Sequence, residues 1–401
     1  MLILIRAKEC VSMTDVNLRY GIFLGPHHPV DEDPTYLIHR DFELMEWIDK
    51  LGFAEAWIGE HHSGGFELLS SPELFIAAAA ERTKHLKFGL GVVSLPYHNP
   101  LMVANRVIQL DHQTRGRVMF GAGPGLLEGD TLMMGIDSLK KRDRMAEGLD
   151  VILRLMAGEW VTEKTEWYDF TDAHVQLLPY TRPRPEVAVA SVVTPSGGRL
   201  AGRYDLSMLC MAALGLGFDA LDTNWKVAQE ISAEHGRTMD PNNLRLVVPW
   251  YIAETRQKAR DDVRFAFERW LDYQRAQDAT RYNVPAGTDP IDWYIDKNLG
   301  VIGTPDDVIA VIERLQEKQG PFGCFCQYAA DWADWEGTKK SYELFSRYVK
   351  PHFNKSNTNR KASLEWLRKN NETNAAKQRA GAEAMFAQHN ADREGRRNND
   401  G

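Results

Sequence analysis

An α/β fold closed as a (β/α)8 TIM barrel, with an insertion segment and a C-terminal helical tail, is what this sequence predicts. Three observations carry that expectation. Strand-like apolar runs alternate with segments of helical period, the rhythm that parallel strands with crossover helices require. Eight such units can be counted, the number that closes a barrel. The first strand ends in "GPHHP", unlike the Gly-rich turn of an open doubly wound sheet, which is the competing architecture.

The elements follow in order. "RYGIFLG" (19–25) is a strand. "YLIHRDFELMEWIDKLG" (36–52) has apolar residues at helical spacing and stops at Gly52. "AEAWIG" (54–59) is a strand, and "SPELFIAAAAERT" (71–83) a helix with Ser71 as N-cap and Pro72 in its first turn. Strand "LKFGLGVVSL" (86–95) precedes helix "PLMVANRVIQLDHQT" (100–114), and strand "GRVMFGAG" (116–123) precedes helix 139–158. Residues 159–185, with their aromatics and prolines, break the rhythm and read as an insertion. Strand "EVAVAS" (186–191) resumes it, followed by a helix opening at "PSGGRLAGR". Further strands fall at 204–210, 244–253 and 322–328, and helices near 218–236, 255–278, 305–319 and 338–350.

The chain is expected to comprise an N-terminal extension (1–17), a barrel (18–354) and a polar tail (355–401). Residues 1–13 read as an upstream extension, with Met13 an alternative start. The tail is too poor in large apolar groups to build its own core. Its "SLEWLRKN" and "AGAEAMFAQH" read as helices laid over the body or a partner subunit.

With 401 residues and 43% hydrophobic content the chain can bury a large core. A formal net charge of −8 argues against nucleic acid as a partner, because phosphate binding needs a basic surface. Four cysteines, at 10, 210, 324 and 326, are too few and too irregular for a disulfide framework and point to a reducing, cytoplasmic setting. Cys324 and Cys326 read as small apolar residues of a core strand. No stretch has the pattern of a secretory signal or the length of a membrane span.

Chemistry in such a barrel sits at the C-terminal ends of the strands. There the sequence places His27-His28, then Glu60-His61-His62 in "AWIGEHHSGG", then His98 in "PYHNP". A metal site is not expected. Metal-binding barrels favour H-x-H, which puts both rings on one side of a strand, whereas adjacent histidines face opposite sides, and H-E-x-x-H is absent. Proton transfer needs one imidazole tuned by a neighbour, and Glu60 is adjacent. The bland alternative is that these groups cap a loop.

In "VASVVTPSGGRLAGR" (189–203) a strand ends at Ser191 and a helix opens at Ser196-Gly197-Gly198. Helix-start amides bind phosphate and glycines permit close approach; an ordinary capped helix is the alternative. "GAGPG" (121–125) lacks the G-x-G-x-x-G spacing and reads as a loop that lets a flat ligand approach. Phe23, Tyr97, Trp250, Tyr251 and Gln327, with His27, lie near strand ends and are candidates for a substrate pocket, ordinary core being the alternative.

Taken together, "GIFLGPHHP", "AWIGEHH", "GVVSLPYHNPLMVANRVIQLDHQTRGRVMFGAGPG", "IGTPDDV" and "DWADWEGTKKSYELFSRYVKPHF" resemble the bacterial luciferase-like flavin-dependent monooxygenases, in particular their limonene monooxygenase-like branch. The likeness runs from about 18 to 354. It implies a barrel holding reduced FMN (FMNH2) at its mouth, the flavin coming from a separate NAD(P)H-dependent flavin reductase. Oxygen, the co-substrate, adds at flavin C4a to give a peroxide (a C4a-peroxyflavin) that oxygenates a small organic substrate such as a terpene, ketone or aldehyde. It also implies a homodimer.

Carried over by motif, His61 is the acid/base near the C4a adduct, with Glu60 and His62 supporting it. Val92, after Gly91, lies beside the isoalloxazine ring, where the family often has a non-proline cis peptide. Gly123 joins it in cofactor binding. Ser191, Val192, Thr194, Ser196, Gly197 and Gly198 form the phosphate loop. One departure stands out: members nearer luciferase carry an arginine after the fourth strand, and the aligned residue here is Pro124, which leaves the phosphate to the loop amides or a cation such as Arg199. The alternatives are an F420-dependent oxidoreductase on the same barrel, a metal-dependent barrel hydrolase and a non-catalytic flavin-binding homologue.

Overall fold

A computed structural model describes residues 16–192, 194–212, 216–277 and 282–399. Its strands are β1 (Arg19–His27), β2 (Glu55–Ile58), β3 (Lys87–Ser94), β4 (Val118–Gly123), β5 (Val161–Lys164), β6 (Asp169–Ala173), β7 (Glu186–Ser191), β8 (Ser207–Met211), β9 (Leu244–Ile252), β10 (Val301–Gly303) and β11 (Cys324–Ala330). Eight of them pair in parallel in the order β11-β1-β2-β3-β4-β7-β8-β9, and β9 returns to β11, so the sheet closes into a (β/α)8 TIM barrel. The short β10, unforeseen from the sequence, pairs only with the end of β9, Trp250–Ile252. The insertion contains an antiparallel hairpin, β5–β6.

Some helices differ from the sequence reading. A short one, Glu128–Met133, lies in the loop after β4, and the segment expected at 255–278 is two helices, Arg256–Val263 and Phe267–Gln277. Ser71 makes no side-chain cap bond, although Pro72 does occupy the first turn. Asn99 is a true cap: its side chain accepts from the amides of Leu101 and Met102.

Alternation along the strands decides which residues face the barrel interior. Trp57, Met119, Ala188, Leu209, Val247, Cys324 and Cys326 fill it, with Phe23, Val92, Met211 and Tyr328 packed above. The thiols of Cys324 and Cys326 lie 3.6 Å apart on this inward face, as the core-strand reading expected. Residues of the other parity turn outward. Tyr20, Trp250 and Phe325 each meet the ring of Phe345 in the helical layer.

The N-terminal end of the barrel is closed by charge. Arg245, fully buried, donates to Glu55 at 2.6 and 3.2 Å and pairs with Glu186 at 2.7 Å. Arg19 and the Trp57 indole also donate to Glu55. Burial alone would raise the Glu55 carboxyl, but the guanidinium groups of Arg245 and Arg19 outweigh it and hold it at about 2.

Residues Met1–Lys350 and Pro351–Gly401 form two compact units. In the second, the expected helices are present as Thr358–Lys369 and Asn371–Asn399, and Leu364, Trp366, Met385 and Phe386 are exposed. Among the described residues no helix is long and apolar enough to cross a membrane. Cys10, Met13 and most of the N-terminal extension lie outside the described residues.

Candidate active site at the barrel mouth

The segment after β2 folds back over the C-terminal end of β1. Gly64 and Gly65 take φ of 85° and 71°, a left-handed turn open to glycine at little cost. The returning segment is then fixed by His28 N–H to Phe66 O (2.9 Å) and His61 N–H to Leu69 O (3.0 Å). This turn brings Glu67 onto the same side as His61.

Glu60, almost fully buried, joins three elements. One oxygen accepts from His62 Nε2 (2.9 Å) and His98 Nε2 (2.6 Å), and the other from the Ser94 amide at the end of β3 (2.9 Å). Burial raises the carboxyl, yet these bonds outweigh it and hold Glu60 at about 2. The Glu60 hydrogen bond raises His62 in turn. Arg106 lies 3.3 Å from His98 Nδ1 and can only donate, so that nitrogen accepts and Nε2 carries the proton given to Glu60.

His61 sits between two carboxylates, with Nε2 2.9 Å from Glu67 and Nδ1 3.6 Å from Asp130. Burial pushes the imidazole down, but Glu67 and Asp130 prevail and raise it to about 10. The two carboxylates thus favour its protonated form. Asp130 comes from the short helix Glu128–Met133 and also accepts from Ser63 Oγ (2.5 Å) and the His62 amide (3.2 Å). Beside it, Thr131 bonds the Tyr97 hydroxyl at 3.1 Å. Glu67 accepts from Tyr273 OH (2.8 Å) and lies 3.5 Å from His27 Nε2, which Tyr328 OH meets at 2.8 Å. Burial lowers His27, against the pull of Glu67. Its neighbour His28 turns away to Asp41 and Asp331, as adjacent strand residues must.

Glu60, His62 and His98 are the one metal-competent grouping among the described residues. Their facing atoms already satisfy one another, and Arg106 is the wrong neighbour for the second nitrogen of a metal-bound histidine, which needs an acceptor. They form a hydrogen-bond network.

The Gly91–Val92 peptide is cis. Space for a Cβ on Gly123 is filled by the Val92 side chain, and on Gly125 by the Tyr97 hydroxyl. Gly123 and Gly125 thus admit protein side chains. Glycines also allow close packing beyond β7. A Cβ on Gly197 would lie 2.6 Å from Ala190 O, and one on Gly198 2.5 Å from Asn224 O. These glycines let helix Ser196–Tyr204 press against β7 and the helix Leu216–Glu234. That packing sets the helix start beside Ser191, whose buried hydroxyl has no hydrogen-bond partner. Val192 is half-buried, with its carbonyl 3.4 Å from Asn224 Nδ2, and Thr194 and Ser196 bond each other at 2.9 Å. Arg199 is exposed on the first turn. An orphan hydroxyl, two more hydroxyls and first-turn amides are a donor set that fits a phosphate.

Of the expected pocket residues, Phe23 faces inward and stacks on Tyr328 at 5.8 Å, and His27 and Tyr97 join the mouth network. Trp250 and Gln327 do not belong there. Trp250 stacks on Phe345 outside the sheet, and Gln327, of outward parity, donates to Trp250 O at 2.6 Å. Tyr328 holds the inward position beside Gln327, while Tyr251 packs with the helices, its hydroxyl donating to Asp262 at 3.0 Å. Glu67, Asp130 and Tyr273 were not foreseen. The available signals were faint: single acids within the apolar runs "FELL" and "GDTLMM".

The closed barrel and its titratable mouth define an α/β-barrel enzyme with its chemistry at the C-terminal strand ends. The chain belongs to the luciferase-like monooxygenase family, whose family model matches residues 18–320, and it is a flavin-dependent monooxygenase. It is 46% identical over 336 residues to limonene 1,2-monooxygenase of Rhodococcus erythropolis (84% of this chain, 86% of the relative). To 4-hydroxyprotoasukamycin monooxygenase of Streptomyces nodosus subsp. asukaensis it is 42% identical over 364 residues (87% and 96%). Among solved structures, the oxygenating constituent of 3,6-diketocamphane monooxygenase of Pseudomonas putida, a type II Baeyer–Villiger enzyme in complex with FMN, matches with TM-score 0.69 and 25% identity, covering 83% of this chain and 98% of that one.

Proposed function

We propose that this protein is the oxygenase of a two-component system, a homodimer that takes FMNH2 from a separate NAD(P)H-dependent reductase and uses O2 to oxygenate a small, apolar or weakly polar organic substrate. The observation that carries the reading is the placing of the His61 imidazole between the carboxylates of Glu67 and Asp130 just past the end of β2. The diketocamphane oxygenase supports a reductase-supplied FMN, being one constituent of its system. Limonene monooxygenase supports a terpene-like substrate.

In this reading, bound FMNH2 supplies oxygen activation at its C4a. The residues of this chain do the rest. Ser191, Val192, Thr194, Ser196, Gly197 and Gly198 seat the phosphate at a helix start. Val92 and Gly123 back the ring. His61 would hold a proton at Nδ1 for the reacting oxygen and take one back later, acting as acid first and base second. Glu60 and His62 keep the loop in register. Phe23, Tyr97 and His27, with Tyr328, line the substrate side and exclude water.

The test is anaerobic titration with FMNH2 followed by rapid mixing with aerated buffer, for the wild type and His61→Ala. The reading predicts a transient flavin–oxygen spectrum that the variant loses or that decays at a changed rate. Failure to bind FMNH2, or oxidation at the rate of free flavin, overturns it; oxygen-independent turnover with F420 would establish the oxidoreductase alternative.

A further inference from the structure

We propose that Glu67 is the positioning residue of this site: from the returning loop it orients His61 through Nε2 and ties that ring to His27 of β1 and Tyr273 of helix Phe267–Gln277. The inference rests on the monooxygenase reading of the mouth, and it assigns a role to a residue outside the family motifs quoted above.

The geometry is that of a hub. Glu67 is buried, and its two oxygens serve different partners: one takes the Tyr273 hydroxyl (2.8 Å) and faces His27 (3.5 Å), and the other takes His61 Nε2 (2.9 Å). A carboxylate accepts but does not donate, so Nε2 of His61 carries the proton toward Glu67. That leaves only Nδ1 free of a partner, and it is buried facing Asp130, which waits beyond hydrogen-bond length at 3.6 Å. Space has been cleared for this arrangement: a Cβ on Gly25 would lie 2.9 Å from both a Glu67 oxygen and the His27 ring. Gly64 packs against the Tyr273 ring, and Phe66 stacks on that ring at 4.6 Å, so the stretch leading into Glu67 is held against the helix that supplies its hydroxyl donor.

The charged and titratable groups facing His61 are Glu67 and Asp130 as anions, His62 from its own loop, and His27 from β1. Tyr273 reaches it only through Glu67. Losing the Glu67 charge leaves Asp130 alone, at the longer distance, to favour the imidazolium.

The experiment follows His61 directly in the cofactor-free protein, by NMR of 13Cε1-labelled histidine assigned through His61→Asn. Wild type should keep His61 protonated through pH 8. Glu67→Gln should lower its titration by about one pH unit or more. Tyr273→Phe, which keeps the charge, should leave it high. An unchanged His61 titration in Glu67→Gln overturns the proposal. If Glu67→Gln does not fold, Glu67→Asp decides: its retracted carboxylate should lower the titration partway, and a wild-type value overturns the idea. Rapid mixing of the FMNH2-loaded protein with oxygen across pH 6–10 supplies the second readout, in which the pH profile of Glu67→Gln should shift in parallel. A shifted NMR titration without any flavin–oxygen reaction would uphold the positioning role and sink the monooxygenase reading instead. A normal flavin reaction with an unshifted titration would do the reverse.

Discussion

Strand β2 carries a buried glutamate toward each end of the barrel, and the two have different company. Glu55, at the closed end, is met by Arg245 and Arg19, with Glu186 completing the charge balance. Glu60, just past the open end, is met by His62 and His98, and beyond it Glu67 and Asp130 enclose His61. Both clusters are buried ion networks, and both hold their carboxylates low. The partners separate them. Guanidinium never releases its proton in water, so the closed end is one fixed arrangement, whereas imidazole can change charge, so the open end can pass a proton. Burial of charge is fixed at one end of this barrel and titratable at the other, and the identity of the cation makes the difference.

The contrast can be broken most severely at His61. His61→Ala is expected to slow the flavin–oxygen chemistry by about two to four orders of magnitude while the fold survives, as general acid–base residues typically do; stopped-flow rates beside a denaturation curve would check both halves. At the closed end the pattern should invert. Arg245→Met leaves Arg19 as the one cation at Glu55 among the described residues and should cost about 3 kcal/mol in urea unfolding, with FMNH2 affinity of the folded protein preserved.

Acid and alkali should sharpen the division. Glu55 has a folded value near 2, below its usual 4.5, so its stabilising contribution is present above pH 4.5 and fades as the pH falls toward 2. His61 lies near 10, above its usual 6.5, so its contribution is full below 6.5 and is lost as the pH rises through 10. Unfolding midpoints measured across pH should therefore lose part of their acid slope in Glu55→Gln and part of their alkaline slope in His61→Asn. The smallest effect is expected at Trp250→Phe. It keeps a ring against Phe345 on the outer face and should change the flavin–oxygen rate by less than about twofold, because surroundings outside the site leave the barrier nearly untouched. A larger change would return Trp250 to the pocket.

Much of this was legible in the sequence. Alternating strands and helices gave the barrel, and Glu60-His61-His62 marked the mouth, because both depend on local pattern. Trp250 and Gln327 were misplaced for a physical reason. Strand side chains repeat every two residues, so an error of one in phase exchanges inside for outside, and a nearly continuous apolar run such as "LRLVVPWYI" does not reveal its phase. Glu67 and Asp130 stayed hidden because they reach His61 only after two loops have folded back, and loops carry no periodicity to read. Gly197 and Gly198 were visible, but their reason was not, since the atoms they make room for belong to β7 and to the helix Leu216–Glu234.

The return turn through Gly64 and Gly65 has a consequence for how such a chain can change over time. The ionisable group at the centre of the mouth and the carboxylate that aims it are six positions apart on one uninterrupted segment. A single codon gained or lost between them would rotate one away from the other. The hairpin β5–β6, whose strands pair with each other and not with the barrel, is under no such constraint. Length variation in this lineage should accumulate in the hairpin and be purged from residues 61–67, so that a count of insertions and deletions along the chain becomes a map of where the chemistry is.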